Sequence, residues 1–178
     1  WYVTGSKVNF CNTVASNACG WWKITNGRVD FDFSGLAENA YGWWKITNGQ
    51  VDFSYVGYEQ NGSNWWYVYG GQVCFQATDV LPGTVGGQYG WWKVCEGKVN
   101  FDDDVCENAY GWWKITTGKV DFQYTGLAQN ACGWWMIQNG HVNFGSNGLV
   151  DNGNGWWLVK NGGVDFNYNG LSRRPSGS

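Results

Sequence analysis

The sequence predicts an all-β fold, a β-solenoid of about eight stacked β-hairpins with repeats of roughly 22 residues. Three observations predict it. First, the stretch GWWKITNGQVDF, Gly42 to Phe53, recurs in varied form along the 178-residue chain. Trp-Trp pairs begin at Trp21, Trp43, Trp65, Trp91, Trp112, Trp134 and Trp156, at spacings of 22, 22, 26, 21, 22 and 22 residues. A fixed period of this length marks an array whose units bury apolar surface only against their neighbours. Second, Asn-Gly stands between two apolar runs at Asn26-Gly27, Asn48-Gly49, Asn139-Gly140 and Asn161-Gly162. A type I′ turn needs φ > 0 at both central residues, and Asn-Gly is the pair that accepts it. Gly70-Gly71, Glu96-Gly97 and Thr117-Gly118 keep Gly at the second place. Third, the flanking runs alternate apolar and polar as strands do.

Taken in order, the units start near residues 1, 20, 42, 64, 90, 111, 133 and 155. The first is cut short, with Trp1 in the place of the second Trp of a pair. The turn sets the register of each hairpin. In the second, Thr25 faces Arg28, Ile24 faces Val29, Lys23 faces Asp30 and Trp22 faces Phe31. Trp22, Ile24, Val29 and Phe31 then share the core face, and Trp21, Lys23, Asp30 and Asp32 the other. A connector of about ten residues, read as a loop, follows each hairpin, typified by Ser34 to Tyr41. Leu36, Leu127, Leu149 and Leu171 are its expected plugs into the core. The fourth connector is longer, around Leu81-Pro82-Gly83-Thr84, and the fifth carries Asp102-Asp103-Asp104. Residues 1–171 read as one elongated repeat domain and 172–178 as a linker or an expression tail. A start inside a repeat and without Met reads as a piece of something longer.

Composition narrows the function. Glycine is abundant at 28 residues, with two prolines and one Met. No apolar run is long enough for a membrane-spanning helix, and the reading expects no signal peptide. The net charge of −3 and the scattered basic residues exclude a nucleic-acid surface. Six cysteines, no CxxC and one His favour disulfides over zinc, and hence a secreted or cell-surface protein. Cys74 with Cys95, Cys11 with Cys19, and Cys106 with Cys132 are the expected pairs.

Catalysis needs a convergent acid, base or nucleophile. His141 reads as an exposed strand residue. Asp30, Asp52 and Asp121 each face a lysine (Lys23, Lys45, Lys114), so ion pairing accounts for three of the four recurring acids, while Asp165 faces Leu158. Asp102-Asp103-Asp104 reads as a solvated acidic loop rather than a calcium site. No enzyme, cofactor or metal is expected.

The aromatics exceed what a core needs, with 15 Trp, 10 Tyr and 9 Phe. Core packing accounts for the second Trp of each pair. The first, at Trp21, Trp43, Trp65, Trp91, Trp112, Trp134 and Trp156, points to the polar face with Tyr41 and Tyr110 nearby. Grooves walled by Trp and Tyr would hold quaternary ammonium groups or sugar rings. Packing between units is the competing reading of these residues.

GWWKITNGQVDF followed by a Gly-containing connector resembles the cell-wall-binding repeats of Gram-positive surface proteins, which include choline-binding, glucan-binding and clostridial toxin repeats. The resemblance covers Trp1 to about Leu171. It implies a β-solenoid that binds choline or carbohydrate between units, with Trp21, Trp43, Trp112, Trp134 and Trp156 at the ligand-wall places. The second strand reads Val-Asp-Phe where that family has a Trp-Tyr-Tyr run, which removes one expected wall of a choline cage. The expected function is therefore a non-catalytic module that attaches a secreted protein to a cell-wall polymer, glycan or choline-like ligand. The alternative is a structural stalk.

Overall fold

The computed structural model describes residues 1–173, in which there are 23 strands and no helix. The repeat is a three-stranded meander. In one example, Gly35–Asn39 pairs antiparallel with Gly42–Thr47, which pairs in turn with Gln50–Val51. The expected register holds at the tip, with Ile24 opposite Val29 and Thr25 opposite Arg28. Asn48 and Gly49 take φ of 49° and 82°, as a type I′ turn demands.

Two features differ from the sequence reading. The connectors are strands: Thr13–Asn17, Gly35–Asn39, Val56–Asn61, Asp79–Val85, Asp104–Asn108, Gly126–Asn130 and Gly148–Asp151. Sequences such as GLAEN carry little β propensity, and pairing with the following long strand is what extends them. The strand after each tip is also only two residues long. Asp52 ends it by accepting a hydrogen bond from Ser54 N at its Oδ1 (3.1 Å), while its carbonyl accepts one from Tyr55 N (3.2 Å). This Asx turn swings the next residue out of the sheet. Phe31, expected in the core opposite Trp22, is 63% exposed, and Phe53 is 50% exposed.

Successive repeats are joined by the same short strands. Trp22 pairs with Gln50, Trp44 with Gln72 and Trp66 with Lys98. Trp92 pairs with Lys119, Trp113 with His141 and Trp135 with Gly163. Each ladder links a repeat to the next in sequence, so the fold is an open solenoid of antiparallel strands and not a closed barrel. At each tip the second residue rests on the backbone of the preceding repeat. A Cβ on Gly49 would lie 2.5 Å from Asp30 O and 2.7 Å from Phe31 Cα. That contact, added to the positive φ, is why the weaker tips keep glycine there as well.

The chain forms two compact units, one of residues 1–78, 82–90 and 94–99, the other of 79–81, 91–93 and 100 onward. In the first, Val14, Trp44, Ile46 and Val51 form a buried cluster with Trp21, Phe33 and Ala37 against it. In the second, Val80, Trp113, Ile115 and Val120 form one cluster and Val105, Ala128, Ile137 and Val142 another. Each cluster joins the connector strand of one repeat to the long and short strands of the next. Leu127 is buried, and Leu36 and Leu149 are half-buried, as plugs would be, whereas Leu171 is fully exposed.

The expected disulfides are not formed: Cys11, Cys19, Cys74, Cys95, Cys106 and Cys132 all stand as free thiols. Cys11 and Cys19 flank the extended strand Thr13–Asn17, about 16 Å long, far beyond the roughly 7 Å Cα separation a disulfide spans. Cys74 occupies the place of Asp30 and Cys95 that of Thr25. Those side chains meet within one hairpin, Thr25 Oγ1 donating to Asp30 Oδ2 at 2.9 Å and Thr116 Oγ1 to Asp121 Oδ2 at 3.3 Å. Each cysteine therefore faces its own hairpin rather than the neighbouring one. The Cys106 thiol reaches Asp104 Oδ2 at 3.4 Å, while Cys132 sits exposed in a turn.

Candidate functional site: aromatic corners

The Phe after each short strand leaves the sheet, and at Phe53, Phe75, Phe122 and Phe144 it meets aromatic rings from two repeats. In the first unit, Trp21 lies 5.1 Å from Trp44 and 6.1 Å from Phe53 between ring centroids, and Trp44 lies 5.8 Å from Phe53. Their planes stand at 50°, 87° and 72°, and Tyr41 joins Trp21 at 6.1 Å. Trp43, Trp66 and Phe75 repeat the arrangement at 5.3–5.9 Å. In the second unit, Trp91, Trp113 and Phe122 form a third group, which Tyr110 joins at 5.5 Å from Trp91. Trp112, Trp135 and Phe144 form a fourth.

Each group thus takes the first Trp of one repeat with the second Trp and the Phe of the next. Trp21, Trp43, Trp91 and Trp112 are brought together with other rings in this way, and Tyr41 and Tyr110 lie beside two of the groups. Trp65 and Trp134 are half-buried opposite Gln60 and Gln129, and among the described residues no three-ring group includes them. Trp156 is exposed opposite Asp151. The second Trps and the phenylalanines were missing from the sequence reading as walls. The signal was available, since Val-Asp-Phe-Ser and its variants contain the Asx turn that ejects the Phe.

A recurring asparagine holds the second Trp. Asn39 Oδ1 accepts from Trp44 Nε1 and from Tyr41 N, both at 2.9 Å, and its Nδ2 donates to Val14 O at 3.0 Å in the preceding repeat. Asn108 makes the same three bonds with Trp113, Tyr110 and Val80, and Asn130 with Trp135, Cys132 and Val105. Sequence reasoning overlooked these residues, although an Asn stands five before the second Trp in repeat after repeat. A single amide here closes a turn, fixes an indole and pins two repeats.

The lysines do not pair across the hairpin as expected. Lys45 Nζ binds Glu59 Oε2 at 2.8 Å, Lys93 binds Asp104 Oδ2 at 2.6 Å and Lys114 binds Asp103 Oδ2 at 3.3 Å. All three acids lie on or beside connector strands. The backbone N–H of Thr117 and Lys114 hold the Asp103 carboxyl below its usual value. Burial opposes ionisation of Asp104, but bonds from Lys93, Val105 N and Cys106 outweigh it and lower its pKa. The acidic stretch 102–104 is thus tied to lysines at two of its three residues.

Lys45 and Lys114 also sit over the rings of Tyr55 and Tyr124, at 5.3 and 5.6 Å. Burial pushes both phenols up, with Glu59 adding to it at Tyr55 and Asp103 at Tyr124. His141 is exposed on its short strand, as expected, with its ring 3.8 Å from that of Trp113.

Comparison with known proteins gives these groups a context. The family model described as choline-binding repeat matches residues 32–52, 54–74, 123–143 and 145–165. Four stretches of the chain are thus similar to the choline-binding repeat. Each matched span begins just after a hairpin and ends one residue past the next short strand, so it takes in the three-stranded meander. Among solved structures, choline binding protein F from Streptococcus pneumoniae matches at 15% identity and a TM-score of 0.39, covering 91% of this chain and 55% of that one. CbpJ from the same species, strain TIGR4, matches at 15% and 0.35, covering 86% and 52%. The modular Cpl-1 endolysin complexed with a peptidoglycan analogue matches at 18% and 0.28, covering 98% and 43%. The chain spans about half the length of these structures. A search of curated proteins finds no match.

Proposed function

We propose that the aromatic corners bind quaternary ammonium groups of the choline type, and that residues 1–171 thereby attach a secreted or surface-exposed Gram-positive protein to a choline-bearing wall polymer without catalysis. The observation that carries this reading is the repeated meeting of two Trp and one Phe from adjacent repeats. Rings standing steeply to one another with centroids near 6 Å are spaced as the walls of a corner. A cation facing all three would sit about 4 Å from each centroid, within the roughly 6 Å reach of cation–π attraction. Phe53, Phe75, Phe122 and Phe144 carry no hydroxyl, so these walls suit methylated ammonium better than a sugar ring, whose hydroxyls need partners. Phe also takes the part of the wall that its Val-Asp-Phe context had seemed to remove. Several corners on one chain would add avidity.

The test is a tryptophan-fluorescence and calorimetric titration with choline, set beside its uncharged isostere 3,3-dimethylbutanol. The reading expects saturable binding of choline, weaker binding of the isostere, and loss of sites in Phe53→Ala and Phe122→Ala. The packing of Trp21 and Trp112 against apolar clusters favours one other reading, a purely structural stalk. A flat titration with choline would establish that reading instead.

A further inference from the structure

Three of the lysines at equivalent places of the long strands have carboxylate partners, and among the described residues Lys23 has none. Its Nζ donates to Ile24 O at 3.0 Å and lies 5.5 Å from the ring centre of Phe33. The reason lies in the register. Ala37, opposite Trp44, stands where Glu59, opposite Trp66, serves Lys45. Gly35, opposite Ile46, stands where Asp104, opposite Ile115, serves Lys93. Asn12 stands where Asp103 serves Lys114: Asn12 Oδ1 accepts from Asn26 N at 2.8 Å as Asp103 Oδ1 does from Thr117 N at 2.7 Å. All three acidic places around Lys23 are neutral.

A cavity of about 330 Å³ opens at this point, lined by Asn12, Lys23, Phe33, Leu36, Ala37, Glu38, Trp43 and Asn61. That volume lies at the lower end of the range for small-molecule sites. Lys23 is half-buried and keeps two of its three ammonium donors for a ligand. Asn12 keeps its Nδ2, the Asn61 amide adds donors and an acceptor, and Trp43 supplies a flat apolar wall. Glu38 is the one acid in the lining. It is exposed, so water screens it, and its Oε2 already accepts from Trp43 Nε1 at 2.9 Å.

We infer that this cavity, which borders the Trp43–Trp66–Phe75 corner through Trp43, is an anion site that takes the carboxylate or phosphate of a hydroxylated wall component. The ammonium of Lys23 holds the acid group, the two asparagines hold hydroxyls, and Trp43 packs against the carbon skeleton. The choice of wall components as ligands rests on the function proposed above, whereas the uncompensated cation and its cavity do not.

The experiment is calorimetric and NMR titration of the 178-residue chain with N-acetylmuramic acid, a sugar carboxylate, and with glycerol 3-phosphate. N-acetylglucosamine serves as the neutral control and choline as the control for the corners. Two variants accompany it. Lys23→Met removes the cation and installs the residue that Met136 supplies at the same place of the strand Gly133–Gln138. Ala37→Glu rebuilds the internal partner that Glu59 provides for Lys45. Saturable binding of one acid or both is expected, with the Trp43 indole N–H shifting. Both variants should weaken it about tenfold or more, as loss of a charge-assisted bond does, and leave the choline response unchanged. Which acid binds identifies the source of the anion. The inference is overturned if neither acid binds, if N-acetylglucosamine binds as well as the acids, or if both variants bind like the wild type. A flat choline titration with intact acid binding would instead refute the aromatic corners alone.

Discussion

Replacing Asn39 by Ala tests whether one amide holds two repeats together. The substitution removes three hydrogen bonds, to Trp44 Nε1, Tyr41 N and Val14 O. Tyr41 is exposed, and its N–H can turn to water at little cost. Trp44 is 9% exposed and Val14 is 4% exposed, so the indole N–H and the Val14 carbonyl lose their partners in surroundings that offer no replacement. An orphaned buried polar group costs roughly 1–3 kcal/mol, which makes the total about 3 kcal/mol. At this chain length that corresponds to a melting temperature lower by about 6–12 °C. The chain contains its own control at Asn152, which also stands five residues before a second Trp. Among the described residues its Oδ1 accepts only from Asn154 N, at 3.1 Å, and Trp157 is 37% exposed. Asn152→Ala should therefore cost about 0.5 kcal/mol or less. Chemical denaturation of both variants, read by tryptophan fluorescence, makes the comparison. Equal destabilisation of the two, or a loss below about 1 kcal/mol at Asn39, would refute the argument that burial of these partners sets the cost.

Three further outcomes are expected. Trp44→Ala empties part of a core cluster and should cost about 3–5 kcal/mol, whereas Phe53→Ala, at a half-exposed ring, should cost about 1 kcal/mol or less while weakening choline binding; comparable losses in stability would place Phe53 in the core. Gly49→Ala meets both a positive φ and the backbone of Asp30, and Gly87→Ala meets a similar φ with no atom within 4 Å; the first should lose about 3 kcal/mol and the second about 1, and equal losses would mean that the turn alone requires glycine. Asp104, with its folded pKa lowered, contributes stability that is present above the ordinary aspartate pKa of about 4 and is lost as pH falls through the depressed value. Denaturation midpoints measured from pH 5 to pH 2 should accordingly fall more steeply for the wild type than for Asp104→Asn, and parallel curves would remove Asp104 from the acid response.

The sequence by itself determined the repeat, its period, the tip turns and the pairing beside each tip. Those features depend on short-range chemistry: Asn-Gly accepts two positive φ angles, and alternation assigns faces over the residues next to the turn. It did not determine which rings meet: Tyr41 lies beside Trp21 and Tyr110 beside Trp91, each in the preceding repeat. Tertiary structure decided what lies beyond that reach. The connectors became strands because the following long strands offered them hydrogen-bond partners, which no propensity in GLAEN reports. Phe53 became a wall rather than core because an Asx turn ended its strand one residue earlier than alternation implied. Lys45 chose Glu59 over Asp52, and Cys74 its own hairpin over Cys95. Such choices among several side chains of suitable chemistry depend on which repeat each one faces. Local sequence limits the partners a residue can take, but the stacking of one repeat on the next selects among them.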